Sequence, residues 1–270
     1  MPFFFYLARC SDGSLYAGVT DNLAAREARH NAGTGAKYTR GRGPVKMVYS
    51  EEFRTRSEAL RREAAVKKLG KKQKEALIPL RNAAPTAFIF HGLLGSPEEN
   101  WFPWMKKKLE GRGFRIIVPP FPCPDRPKLS SWMQYFKQYH PFIHEQTILI
   151  GHSLGATFTL RLLMALKKSV RATFLVAPVW HAKHNAWDPL MRSFTAAPYD
   201  WKRIRNNAGV LSVLYSDNDP YVSPEKSSLL ASHLGVEPVL IEGVGHFNEA
   251  AGYRTFLMLL EWILSLPPAT

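Results

Sequence analysis

Three observations predict an α/β chain in two parts: a small α+β domain with a short antiparallel sheet, then a larger α/β domain whose mostly parallel sheet is flanked by helices. The first is Ser11-Asp12-Gly13 between two β-rich runs, residues 3–10 and 14–20, where Asp-Gly is a strong hairpin signal. The second is the alternation of short β-branched runs with helical ones from residue 87 to 266, the pattern of parallel strands covered on both faces. The third is the stretch 79–86, two prolines among small residues, which reads as a linker. Domains at 1–80 and 87–270, joined by 81–86, follow. With 46% hydrophobic and 12% aromatic residues, the 270-residue chain has ample material for packed cores.

The elements follow in order. Asp21 or Asn22 can cap a helix over 23–30, which Asn31-Ala32-Gly33 stops. A loop rich in glycine and basic residues runs over 34–44 into a strand-like 45–49. Ser57 then caps a strong helix over 58–69, Gly70 ends it, and a second short helix reaches about Leu80. Beyond the linker, strand patterns at 87–90, 115–118, 147–150, 172–177, 210–215 and 239–241 alternate with helical ones at 101–110, 131–139, 156–167, 227–234 and 253–266. Residues 180–207 alone lack a clear element, and that stretch is a candidate cover for a site.

The formal charge of +14 is uneven, because residues 1–82 hold 17 Lys+Arg against 8 Asp+Glu. A basic first third fits DNA or another nucleic acid as partner, and it equally fits a solvated basic face. The apolar run Phe3-Phe4-Phe5-Tyr6-Leu7-Ala8 is too short for a signal segment and no basic stretch precedes it. No run approaches a membrane span, so a soluble, cytoplasmic protein without membrane contact is expected. Cys10 and Cys123 are isolated in sequence, which argues against a disulfide framework or a Cys-x-x-Cys metal site and for two reduced thiols.

Residues 149–155 read Leu-Ile-Gly-His-Ser-Leu-Gly, an apolar run that breaks at Gly-x-Ser-x-Gly. After a central strand this forms a sharp strand-to-helix turn that lifts Ser153 to the carboxyl edge of the sheet. Serine alone is a weak nucleophile and needs a histidine base whose tautomer an acid holds. Both stand after later strands in the required order: Asp219 within Ser216-Asp217-Asn218-Asp219-Pro220, and His246 within Gly245-His246-Phe247. Asp217 is the rival acid; Pro220 and Val222 after Asp219 favour the latter. The loop His91-Gly92-Leu93-Leu94-Gly95-Ser96 offers backbone N–H groups, and those of Leu93 and Leu154 would form an oxyanion hole. His91 and His152 read as structural residues. Trp101, Trp104, Trp132, Trp180 and Trp187 suit a core as readily as an acyl pocket.

Residues 87–266 resemble a small α/β-hydrolase, specifically the compact serine hydrolases related to retinoblastoma-binding protein nine and the bacterial YdeN type. The matching marks are the His91-Gly92 loop followed by Trp101 and Trp104, Gly151-His152-Ser153-Leu154-Gly155, Asp219-Pro220 and Gly245-His246-Phe247. The resemblance implies a Ser153, Asp219, His246 triad that cleaves an ester, thioester or amide of a small acyl or peptide substrate through an acyl-enzyme, without a cofactor.

In the first third, the opening hairpin carries Tyr6 and Tyr16, Arg26 and His30 lie one helical turn apart on one face, and Glu63 sits in the later helix. Such a set suits phosphodiester cleavage. The carboxylate holds Mg²⁺ or another divalent cation with waters completing its shell, arginine binds the phosphate, and a tyrosine or histidine handles the proton of the attacking water. Taken singly, strand tyrosines usually pack, and Arg26 and Glu63 could be ordinary surface charges. Lys37, Arg40, Arg42 and Lys46, on or beside the glycine-rich loop, would contact backbone phosphates without reading sequence.

Residues 3–80 resemble the GIY-YIG endonuclease superfamily, in particular its small stand-alone bacterial members. The motifs are Phe4-Phe5-Tyr6, Cys10-Ser11-Asp12-Gly13-Ser14-Leu15-Tyr16-Ala17-Gly18, Arg26-Glu27-Ala28-Arg29-His30-Asn31, Gly35-Ala36-Lys37-Tyr38-Thr39-Arg40-Gly41 and Ser57-Glu58-Ala59-Leu60-Arg61-Arg62-Glu63. The resemblance implies Tyr6 and Tyr16 as motif tyrosines, Arg26 as phosphate ligand, His30 as proton-transfer partner and Glu63 as metal ligand. The first motif lacks Gly-Ile, Ala17 replaces the usual isoleucine, and Lys67 and Lys68 stand where larger members carry an asparagine nearby. The expectation is therefore a chain with two hydrolytic sites. The alternative is that only Ser153 acts and the basic domain tethers the chain to nucleic acid.

Overall fold

At the Asp12-Gly13 turn Gly13 adopts φ 74°, Ser14 N–H donates to Asp12 Oδ1 at 2.9 Å, and strand β1 (Phe3–Arg9) folds back against β2 (Leu15–Thr20). In this computed structural model, residues 2–78, 85–182 and 186–267 are described, and the chain divides into two units, Met1–Asn82 and Ala83–Thr270. Residues 79–84, including most of the expected linker, lie outside the described residues, as do 183–185 within the expected cover.

In the first unit, β3 (Lys46–Phe53) adds to the other edge of β1, giving the antiparallel order β2-β1-β3. It runs past the expected end at Tyr49 because Ser50 to Phe53 continue to pair with Tyr6 back to Phe3. Alternation along β1 sends Phe5 and Leu7 to a core with Ala17, Val48 and Val66, and Tyr6 and Ala8 to the opposite face with Cys10 and Val45. Helix α1 (Leu23–Asn31) is capped by Asn22, whose side chain accepts from Ala25 N–H.

Helix α2 (Arg56–Lys67) corrects the expected cap. Thr55, not Ser57, stops the chain before the helix, because Glu58 three residues on can reach back to the Thr55 N–H while Thr55 Oγ1 accepts from Glu58 N–H. Gly70 caps the start of α3 (Lys71–Leu77), and α2 ends at Lys68.

The second unit carries a parallel six-stranded sheet. Its strands are β4 (Thr86–Phe90), β5 (Arg115–Ile117), β6 (Ile148–His152), β7 (Ala172–Val176), β8 (Val210–Tyr215) and β9 (Pro238–Leu240), in spatial order β5-β4-β6-β7-β8-β9. Strands β4, β6 and β7 are buried along their whole length, and the sheet feeds two cores. Phe88, Phe90, Leu149, Leu175 and Val213 join one; Ala87, Ile89, Ile148, Ile150, Phe174 and Leu214 join the other. Helix α6 (Leu154–Ala165), opened by the serine turn, packs its Phe158, Leu162 and Leu163 into the first core. Helices α4 (Phe102–Glu110) and α10 (Leu257–Ser265) fill the second with Phe102, Met105, Leu259 and Ile263. Helices α5 (Leu129–Phe136) and α9 (Pro224–Leu234) complete the layer around the first core.

The stretch expected to lack an element contains two helices, α7 (Asp188–Thr195) and α8 (Trp201–Asn207). Met191, Phe194 and Ile204 anchor them in the first core, so short amphipathic turns too brief to show a period are held by tertiary burial. Among the described residues no helix is long and apolar enough to cross a membrane. Cys10 is buried, Cys123 is exposed, and both are free thiols.

The capping box has a measurable signature. Thr55→Ala should cost about 1 kcal/mol in denaturant unfolding of the full chain, and Ser57→Ala almost nothing; equal effects would return the cap to Ser57.

Candidate active sites

Ser153 sits at φ 56° and ψ −118° between β6 and α6, a left-handed conformation that a residue with a side chain adopts at a cost. Two close approaches hold it there. A Cβ on Gly155 would lie 2.1 Å from the Phe90 carbonyl oxygen, and one on Gly151 would lie 2.5 Å from the Ala156 Cα. Gly92, after β4, brings its loop so close that an added Cβ would lie 3.0 Å from Ser153 Cβ. His91 fixes that loop. Phe121 N–H donates to His91 Nε2, so the proton is on Nδ1 and is donated to the Gly92 carbonyl at 2.9 Å. Leu154 opens the helix and its N–H has no intrahelical acceptor. Among the described residues neither Leu93 nor Leu154 N–H donates a hydrogen bond within the protein, so both donors are available beside Ser153.

The histidine comes from a loop that is clamped residue by residue. Ser216 Oγ accepts from Val244 N–H at 3.2 Å, Asp217 Oδ1 from Gly243 N–H at 2.8 Å, and Asn218 Oδ1 from Gly245 N–H at 2.7 Å. The fourth residue, Asp219, places Oδ2 2.7 Å from His246 Nδ1, while its Oδ1 accepts from Tyr221 and Val222 N–H at 2.8 and 3.1 Å. Asp217 therefore anchors the loop backbone and Asp219 faces the imidazole. Ser216 and Asn218 had no signal of their own beyond polarity after a strand. His152 steadies the same loop from beneath, Nε2–H donating to the His246 carbonyl at 2.8 Å. Complete burial, reinforced by neighbouring His246, pushes the His152 pKa down to about 3, which keeps the ring neutral.

Ser153 and His246 open into one cavity of about 250 Å³, bordered by Leu93, Glu99, Trp187, Met191 and Tyr221. Trp187 and Met191 belong to the α7 segment, so the region 180–207 does border the site. Trp101 and Trp132 are fully buried core residues and do not line it. Among the described residues Glu99 is the single acidic side chain on the cavity wall, and burial raises the Glu99 carboxyl above its ordinary pKa.

In the first unit the predicted residues also converge. Tyr6 Oη is 2.8 Å from His30 Nε2 and accepts from Arg26 Nε–H at 3.0 Å, and the Tyr16 ring lies 5.3 Å from that of His30. Burial raises the Tyr6 hydroxyl to about 12, while burial and the charge of Arg26 lower His30. Two motif glycines make room: a Cβ on Gly18 would lie 2.5 Å from Tyr6 Oη, and one on Gly35 would lie 2.5 Å from His30 Nδ1. Thr39, which lies within the Gly35–Gly41 motif but is given no role by it, puts Oγ1 2.7 Å from His30 Nδ1.

Glu63 faces this cluster closely enough for its charge to oppose ionisation of Tyr6, and Lys67 Nζ contacts its Oε1 at 2.7 Å. Among the described residues no three His, Cys, Asp or Glu side chains gather around a point that could hold a metal. One carboxylate facing the Tyr6 cluster is nevertheless compatible with Mg²⁺, which keeps most of its waters; the exposed Lys67 arm can swing aside. Of the expected phosphate contacts, Lys37, Arg40 and Lys46 are exposed. Arg42 is engaged with Asp12 Oδ2 at 3.1 Å and with the Tyr38 carbonyl and ring.

Residues 87–262 match the serine hydrolase family and residues 2–76 the GIY-YIG catalytic domain. Bacillus subtilis YdeN is 29% identical over 180 residues, which cover 66% of this chain and 94% of that protein. The crystal structure of the B. subtilis ydeN gene product aligns with a TM-score of 0.63 at 28% identity, covering 68% of this chain and 98% of that one. A UPF0213 protein of Halobacterium salinarum is 54% identical over 72 residues, 27% of this chain and 94% of the relative.

The buried neutral histidine sets a pH dependence. His152 is depressed in the folded state, so the unfolded chain binds the extra proton and stability falls as pH drops below about 6.5. Its share of the loss between pH 7 and pH 5 should be about 2 kcal/mol, and His152→Gln, which keeps a donor for the His246 carbonyl, should flatten the measured slope by that amount.

Proposed function

Because the chain belongs to the serine hydrolase family over residues 87–262 and carries a GIY-YIG domain over residues 2–76, we propose that it is a two-site hydrolase: a serine esterase, thioesterase or amidase joined to a divalent-cation-dependent endonuclease. The observation that carries the first activity is the Ser153 elbow facing a cavity that also holds an Asp219-oriented His246. Ser153 Oγ attacks the substrate carbonyl carbon and gives its proton to His246 Nε2. Asp219 stabilises the imidazolium through Nδ1–H, and the Leu93 and Leu154 N–H groups bind the oxyanion. Collapse breaks the bond to the leaving group, which takes the proton from His246 and departs, leaving an acyl-serine. Water then gives a proton to His246, attacks the acyl carbon, and releases the acid as Ser153 Oγ recovers its proton. The cavity size suits a small acyl or short peptide substrate.

For the basic unit, a tether would need only surface cations. The cluster of buried Tyr6 and His30 with half-buried Arg26, faced by Glu63, supports chemistry as well. Arg26 would bind the scissile phosphate, Glu63 would hold Mg²⁺, and Lys37, Arg40, Lys46 and, when released from Asp12, Arg42 would contact DNA backbone phosphates. A bound Mg²⁺ would neutralise charge on the phosphate and the departing oxygen.

Fluorophosphonate labelling of the full chain should disappear in Ser153→Ala; persistence of the label rules Ser153 out as the nucleophile. Asp219→Asn should lower turnover of an activated ester by about 10⁴-fold. Asp217→Asn should cost about tenfold, since the amide keeps an acceptor for Gly243 N–H. Reversal of that order would make Asp217 the acid. In the same preparation, Mg²⁺-dependent cutting of branched or duplex DNA should be lost in Glu63→Ala. Cutting that survives the substitution, or is absent from the native chain, excludes the nuclease assignment and leaves the salt-sensitive tether.

A further inference from the structure

We infer that Thr39 is a positioning residue that fixes the tautomer of His30 and so makes His30 Nε2 the acceptor of the Tyr6 hydroxyl proton. The functional meaning of this inference rests on the nuclease reading; the tautomer itself does not.

The four polar groups form one chain inside the first unit, where Tyr6 is 0%, Thr39 1% and His30 2% exposed. Arg26 cannot lose its proton and can only donate, so Tyr6 Oη accepts from Arg26 Nε–H. The Tyr6 hydroxyl proton must then go elsewhere, and His30 Nε2 is 2.8 Å away. At the far side of the ring, Thr39 Oγ1–H donates to the Ala36 carbonyl at 2.9 Å, which leaves the Thr39 oxygen to accept from His30 Nδ1–H at 2.7 Å. In this direction every proton has an acceptor. If Thr39 instead donated to Nδ1, His30 would carry its proton on Nε2, and Tyr6 Oη would receive two donors. Its own buried O–H would then have no acceptor among the described residues, a loss of about 1–3 kcal/mol. The first direction therefore wins.

The loop over 34–44 thus has a duty besides its surface cations. Gly35 lets it lie against His30, Ala36 supplies the terminal acceptor, and the single turn Lys37–Thr39 brings the hydroxyl to the ring. With the tautomer set, His30 Nε2 is the base that receives the Tyr6 hydroxyl proton, and Thr39 at Nδ1 holds the ring in that orientation.

The test is long-range ¹H–¹⁵N correlation of the full chain with ¹⁵N-labelled histidine, the His30 signals identified by their loss in His30→Gln. In the native chain at neutral pH the expected pattern is a protonated Nδ1 and an unprotonated Nε2. Thr39→Ser should preserve it, and Thr39→Val should convert His30 to the Nε2–H form or a mixture. A native His30 with its proton on Nε2 overturns the inference outright, whether or not the variants fold, and so does a Thr39→Val pattern identical to the native one. In DNA cleavage Thr39→Val should lower kcat by about 100-fold with little change in KM and move the acid limb of the pH profile, while Thr39→Ser stays within about threefold. A native chain that never cuts DNA defeats the nuclease reading and leaves the tautomer result standing.

Discussion

The second unit depends on backbone touching backbone at the carboxyl ends of β4 and β6. Parallel neighbours in a sheet bring their ends to the same edge, and here Gly155 lets the opening turn of α6 rest on the Phe90 carbonyl with no room for a methyl group. Everything reactive is referenced to that contact. Ser153 is forced into its left-handed conformation between two fixed elements, and the loop after β4 is carried past it with Gly92 as the nearest atom. The cost of the strained residue is met by a sheet whose central strands β4, β6 and β7 are buried on both faces, where each large apolar side chain contributes roughly 1.5–3 kcal/mol.

The first unit solves a similar problem with a different contact. Its tyrosine must be buried so that its hydroxyl faces only chosen partners, and glycine again provides the space: Gly18 is paired directly across from Tyr6 and leaves the face above it empty for the phenol. The two sites share no residue and draw on separate hydrophobic clusters among the described residues. Each is assembled from a glycine-permitted close approach plus a histidine whose orientation a neighbouring oxygen controls: Asp219 in one, Thr39 in the other.

Much of this is legible in the sequence, for reasons that can be named. The Asp12-Gly13 hairpin and the Gly-x-Ser-x-Gly elbow are local, since a positive φ or a missing Cβ is demanded within a few residues. The alternating apolar runs give the parallel sheet because burial on both faces leaves no polar side. Helices α7 and α8 are hidden, because seven or eight residues held by Met191, Phe194 and Ile204 from outside have little periodicity to display. The role of Thr39 is hidden more deeply: it lies within the Gly35–Gly41 motif, yet only the folded chain reveals that its hydroxyl ends on the ring of His30. Thr55 opens a Thr-x-x-Glu box, and Ser57 two residues on is of the same capping type, so the local pattern offers two caps and only the folded geometry selects Thr55. The choice between Asp217 and Asp219 turns on which carboxylate meets a ring and which meets a backbone amide, a distinction of two residues that spacing alone resolves poorly.

The clamp of residues 216–219 on residues 243–246 has a consequence for how this chain can change over time. Four consecutive side chains grip four consecutive residues, Ser216 and Asp217 in crossed order on Val244 and Gly243, then Asn218 on Gly245 and Asp219 on His246. An insertion or deletion between Gly243 and His246 would break the spacing between these grips and carry His246 away from Asp219. A change of length there is therefore costly, whereas the segment carrying Trp187 and Met191 borders the cavity without taking part in the clamp.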